Sequence, residues 1–169
     1  MSSGELRSQV CGWAPMVGRV DDFSDPVGVV LIQDECLTEA GIDYDRWTST
    51  VFLPLTLSSD GNLFAVEDEA AFRNHLRLLG ERAKELGVTQ LRTRILSHIQ
   101  PNEGMSIVSS IRDRLASDGG IIGSSSITWT LLLQNGNWQI NQILFNEGTY
   151  DPSIVSQVFL GLPNKAKQD

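Results

Sequence analysis

Histidine, cysteine and aromatic residues are scarce in this chain of 169 residues, with two His, two Cys and 7% Phe, Trp and Tyr together. His75 and His98 are not clustered, and Cys11 and Cys36 stand far apart with no Cys-x-x-Cys, so no zinc ligand set is visible and no cofactor is expected. The two imidazoles read as solvated or hydrogen-bonded side chains. Basic residues are outnumbered 13 to 21, a net charge of -8, which speaks against a nucleic-acid or membrane partner. No apolar run approaches membrane-spanning length, and the amino terminus, MSSGELRSQVCGW, lacks a basic segment followed by an apolar core. The expectation is a cytoplasmic protein with reduced thiols. What is present is apolar matter in ordinary amount, 41%, enough for one globular domain that buries roughly 70% of its unfolded surface.

Local signals divide the chain into an irregular arm (1–24), a domain (25–147) and a tail (148–169). Asp25-Pro26 opens a helix that Gly41 is expected to stop, because Asp accepts from orphan amides and Pro suits the first helical position. A second short helix is expected over 44–52, led by Asp43, with Trp47, Val51 and Phe52 inward. Pro54 is expected to end it, and LTLSSDGNLF reads as a small hairpin about Asp60-Gly61. The clearest helix spans 68–86. Phe72, Leu76, Leu79, Ala83 and Leu86 form its apolar stripe, Arg73, Arg77 and Glu81 lie outside, and Gly87 is the stop.

From Val88 onward the period becomes two. Long strands are expected over 88–100, 105–116, 121–133 and 137–145, and their short connections force antiparallel neighbours. The turn at Asn135-Gly136 is the sharpest signal, since both residues tolerate the positive φ of a type I′ turn. The glycines at 119, 120 and 123 have no helix pattern after them and read as a turn, not a phosphate loop.

This order of elements resembles the nuclear transport factor 2-like superfamily, and within it the polyketide-cyclase-like (SnoaL-like) proteins. The local phrases that carry the resemblance are the segment ending in Trp47 and Phe52 before Pro54, Leu86-Gly87-Val88 closing the long helix, the Asp118-Gly119 turn, and Gly136-Asn137-Trp138-Gln139-Ile140 entering the last strand. The resemblance implies an α+β cone, with a strongly curved antiparallel sheet packed against about three helices and a pocket in its concave face. It also implies a homodimer formed through the sheets.

Turn lengths propose a register, and register decides which side chains share a face. On that register Trp129 and Trp138 point inward with Ile127, Ile140 and Val108, and Thr128 and Thr130 point outward. The polar points of the expected pocket are Thr93, Ser110, Arg112 and Gln142, with Trp47 contributed by the second helix. Arg112 needs an anion, either a helix acid such as Asp34 or Glu35 or a ligand carboxylate, and the internal pair is favoured. On the outer face Arg92 is expected opposite Asp113. A bulge would exchange the faces beyond it, and only a bulge would admit His98.

Three functions fit. The first is a non-catalytic homodimer that binds a small apolar or acidic ligand. An isomerase, dehydratase or cyclase is the second; the inward strand positions offer no acid or histidine, so its base would come from Asp34, Glu35, Asp43, Tyr44 or Asp45. The third is an interaction domain whose cone is solid core.

Overall fold

The computed structural model describes residues 21–59 and 61–146. Most of the expected arm, the whole expected tail and Asp60 lie outside the described residues.

Helix α1 (Pro26–Glu35) begins where the sequence signals it, with Asp25 accepting from the amides of Val27 at 3.2 Å and Gly28 at 3.1 Å. It does not run to Gly41. It ends at Cys36, and β1 (Leu37–Thr38) with β2 (Gly41–Ile42) forms a tiny hairpin in which Gly41 takes φ 119°. Thr38, Glu39 and Ala40 are all exposed, so nothing there would extend the buried helix face, and the glycine serves a turn instead.

Helix α2 (Tyr44–Ser49) is capped by Asp43, which accepts from the Arg46 amide at 3.1 Å. It stops short of Phe52 because the β-rich run that follows becomes β3 (Val51–Ser59). That strand passes through Pro54 instead of ending there. The Leu53–Pro54 peptide is cis, and the pairing of β3 with β8 jumps from Val51↔Ile140 to Thr56↔Gln142 around it. Proline lacks a ladder donor and sits where the ladder is interrupted. Strand β4 (Asn62–Val66) returns antiparallel, and α3 (Glu69–Leu86) follows with Asp68 as cap and Gly87, φ 73°, as stop.

Four long strands complete the chain: β5 (Gln90–Asn102), β6 (Met105–Leu115), β7 (Ile121–Gln134) and β8 (Asn137–Asn146). The six-stranded sheet has the order β4-β3-β8-β7-β6-β5 and is not closed; every pairing is antiparallel except β3 with β8, which is parallel. The α+β class with three helices is therefore what the structure shows, with a mixed sheet.

Asn135 (φ 50°) and Gly136 (φ 83°) make the expected hairpin turn, and Gln134 faces Asn137. Trp129 and Trp138 are both buried on the helix side, while Thr128 and Thr130 lie on the other face, half-buried. Four one-residue register shifts then alter the regular alternation, one of them near the end of β5 between Ile99 and Asn102. Leu96 is the extra residue in β5, Ile122 in β7 and Asn141 in β8. Beyond Asn141 the faces of β8 exchange, so Ile143 and Phe145 enter the core and Gln142 and Leu144 leave it.

Candidate functional site

Between α3 and the inner face of the sheet lies a cavity of about 70 Å³. Its walls are mostly apolar: Phe72, Leu76 and Leu79 from α3, Leu55 and Leu57 from β3, Ile127 and Trp129 from β7, and Ile143 and Phe145 from β8. Leu37, Trp47, Val88 and Leu91 also line it. Six polar side chains reach this lining, namely Gln33, His75, Arg82, Arg112, Arg114 and Ser125, and no Asp or Glu does among the described residues.

Arg112 is buried and held from α1 and β5. Its Nη2 lies 3.1 Å from Asp34 Oδ1 and donates to the Val30 carbonyl at 3.2 Å; Nη1 donates to Gln33 Oε1 at 3.2 Å, and Nε to Thr93 Oγ1 at 2.8 Å. The guanidinium also stacks over Trp129, 4.6 Å from the ring centroid. Asp34 ties the helix to the strand by accepting from the amide of Thr93 at 2.6 Å and its hydroxyl at 2.7 Å. Burial pulls the Arg112 pKa down and Asp34 opposes that pull. The cation is thus neutralised from within the fold, by the first of the two helix acids named for it. Glu35 instead pairs with Arg46 at 2.6 Å.

Helix α3 supplies what the sequence reading passed over. His75 lines the cavity, and burial depresses its pKa from 6.5 to about 4, so the ring is neutral at pH 7. Arg82 joins it; its Nη1 pairs outward with the exposed Glu85 at 2.7 Å, while Nε is buried and meets no acceptor among the described residues. A signal for both was available. His75, Leu79, Arg82 and Leu86 follow steps of four, three and four, which places the two polar residues on the apolar stripe. Arg114 Nη1 donates to Ser125 Oγ at 3.0 Å within the lining.

Of the expected pocket residues, Trp129, Trp47 and Arg112 line the cavity. Ser110 lies behind Trp129 and accepts from its indole Nε1 at 2.8 Å, and Thr93 serves the Arg112–Asp34 pair. Trp138 is core at a different place, where its amide donates to the Phe23 carbonyl at 2.8 Å. Gln142 is on the opposite face, opposite Thr130, because the Asn141 bulge reverses the strand before it. The Leu96 bulge likewise turns His98, but to an exposed place where Nε2 is 2.8 Å from Ser106 Oγ, outside the lining.

None of the helix acids named as a base lines the cavity. Asp43 is a cap, Asp45 pairs with Arg73 in the open, and neither Asp34, Glu35 nor Tyr44 belongs to the walls. Cys36 is buried and free, its thiol pushed up to about 12 by burial. Among the described residues no three His, Cys, Asp or Glu side chains converge as a metal site, and no helix is long and apolar enough to cross a membrane.

No protein-family profile matches the chain, and no curated protein matches it. Solved structures do. The chain is similar to a Nostoc punctiforme protein of unknown function with a cystatin-like fold, at 14% identity and TM-score 0.56 over 75% of this chain and 89% of that one. An NTF-2 like protein of unknown function from Shewanella oneidensis aligns at 17% identity and TM-score 0.56, covering 72% and 95%. A ketosteroid isomerase-like protein from Erwinia carotovora atroseptica aligns at 12% and 0.55, covering 73% and 93%. Likeness at this identity speaks for the fold and leaves the activity to the site.

Proposed function

We propose that this chain, which has the nuclear transport factor 2-like fold, is a non-catalytic small-molecule-binding protein whose ligand occupies the cavity under α3. One observation carries the reading: an apolar cavity with a few polar groups converging on it is the usual form of a small-molecule site. A space of about 70 Å³, on the order of five water-sized positions, suits a small ligand and differs from the solid cone an interaction domain would have. The resemblance to the polyketide-cyclase-like group, the homodimer through the outer sheet face and a cytoplasmic location belong to the same proposal.

The enzymatic alternative turns on His75. A general base works best with a pKa near the operating pH, and a value of about 4 leaves this imidazole a weak one at pH 7. Binding is therefore favoured over proton transfer.

A thermal-shift screen of small apolar compounds on the full chain tests the site. Hits are expected, and Ile127→Phe, which fills the cavity, is expected to lose them while its own unfolding remains cooperative. Hits that Ile127→Phe retains would move the site elsewhere. Light scattering tests the homodimer, and a monomer at micromolar concentration would remove it.

A further inference from the structure

The polar side chains that reach the cavity wall serve the fold first. Gln33 is used at both ends, its Nε2 donating to Thr50 Oγ1 at 2.9 Å and its Oε1 accepting from Arg112 Nη1 at 3.2 Å. Arg112 is answered by Asp34, Thr93 and the Val30 carbonyl. Ser125 accepts from Arg114, and Arg82 pairs with Glu85. His75 Nε2, Arg82 Nε and Arg114 Nη2 are sealed from water, so a ligand in the cavity would not reach them either. Trp129 lines the same wall while its single donor, Nε1, goes to Ser110 Oγ at 2.8 Å.

What a ligand meets is therefore mainly hydrocarbon, from Leu57, Leu76, Leu79, Ile127, Ile143 and Phe145 among others. Burial in such surroundings penalises charge. His75 registers that penalty, since burial alone lowers its pKa from 6.5 to about 4. An ion entering this space would shed its water and find the cations of the wall already taken. Arg112 and Arg82 have carboxylate partners, and Arg114 is engaged as well.

Size narrows the class further. An apolar cavity of about 150 Å³ is large enough for benzene, and this one, at about 70 Å³, has room for roughly three or four heavy atoms.

We propose that the cavity takes an uncharged, hydrocarbon-like molecule of about three or four heavy atoms, held by packing and not by hydrogen bonds. This rests on the reading of the cavity as a ligand site, and it chooses the apolar class of ligand over the acidic one.

The test is a chemical-shift titration of the full chain by NMR at equal ionic strength. Cyclopropane and isobutane are the neutral probes, and acetate and isopropylammonium are the charged probes of similar size. The neutral probes are expected to bind at least about tenfold more tightly, with shifts centred on Ile127, Ile143 and Phe145, because an ion buried without a free partner loses its hydration uncompensated. Benzene is expected to leave the wild type unmoved and to bind Leu57→Ala, whose shortened side chain enlarges the space. Leu79→Ala, at a half-buried place on α3, is a second enlarging variant, and melting curves identify the folded ones. Acetate or isopropylammonium binding at these residues as tightly as cyclopropane would overturn the uncharged class. Benzene bound by the wild type, or by neither folded variant, would overturn the size limit. Both results leave the ligand site standing, whereas shifts at these residues from no probe would overturn class and site together.

Discussion

Arg112 and Asp113 are consecutive in β6, opposite in charge and on opposite faces of one sheet, and both are buried, at 8% and 1% exposure. Their settings differ. Arg112 meets a nearly buried carboxylate under α1, with its other donors spent on the interior. Asp113 lies beneath two long side chains that are themselves half exposed, Arg92 at 2.9 Å and Arg94 at 3.6 Å, and accepts from Ser124 at 2.6 Å. Burial works against its charge, but the Ser124 hydroxyl and the arginines outweigh it and hold its pKa below 3.8. The lesson is that burial of the charge alone does not set its importance. The partner's exposure decides whether water can replace it.

Breaking the inner pair is expected to have the largest effect. Arg112→Met leaves Asp34 without its cation and costs about 3 kcal/mol or more in urea unfolding, and Asp34→Asn combined with it costs clearly less than the sum of the two. If the costs add fully, the pair is not what holds α1 to the sheet. Next comes pH. His75 has its pKa lowered from 6.5 to about 4 on folding, so the unfolded chain binds the extra proton between those values. Stability is full above pH 6.5 and falls as pH drops toward 4, by about 3 kcal/mol in all. His75→Gln should flatten that part of the stability profile, and an unchanged slope would show that the imidazole is not buried in solution.

The outer charge should matter less. Asp113→Asn keeps the Ser124 contact and loses only a screened pairing, about 1 kcal/mol, and its pH effect appears in acid alone, as pH falls below 3.8 through the lowered value. A cost equal to that of Arg112→Met would erase the contrast between the faces. The smallest effect belongs to Gly123→Ala, under about 1 kcal/mol, because the flexible end of Arg114 can move aside.

Much of the fold was legible in the sequence, for identifiable reasons. Caps at Asp25 and Asp43, the stop at Gly87 and the turn at Asn135-Gly136 are local signals, and each is where the structure uses it. The failures at Gly41 and Pro54 are of one kind, in which a residue that can end an element does something else within another. The parallel seam between β3 and β8 joins segments far apart in the chain, and no turn announces it. The site was less legible because its contents depend on which face a residue takes. Gln142 was lost to a bulge that no residue type marks, and His75 and Arg82 were missed because polar residues on an apolar stripe are easily read as surface.

The bulges have a consequence for insertions and deletions. An extra residue bends its strand, so the depth of the concave face depends on chain length in β5, β7 and β8 as well as on the residues that line it. Removing Asn141 would restore an even ladder with Ile140 and Ile143 still inward, since Gln142 would then take the outward place between them. Such a deletion changes no wall residue and yet flattens the wall. In this domain the size of the hollow is written partly as a residue count, and a one-residue deletion could retune it where a substitution could not.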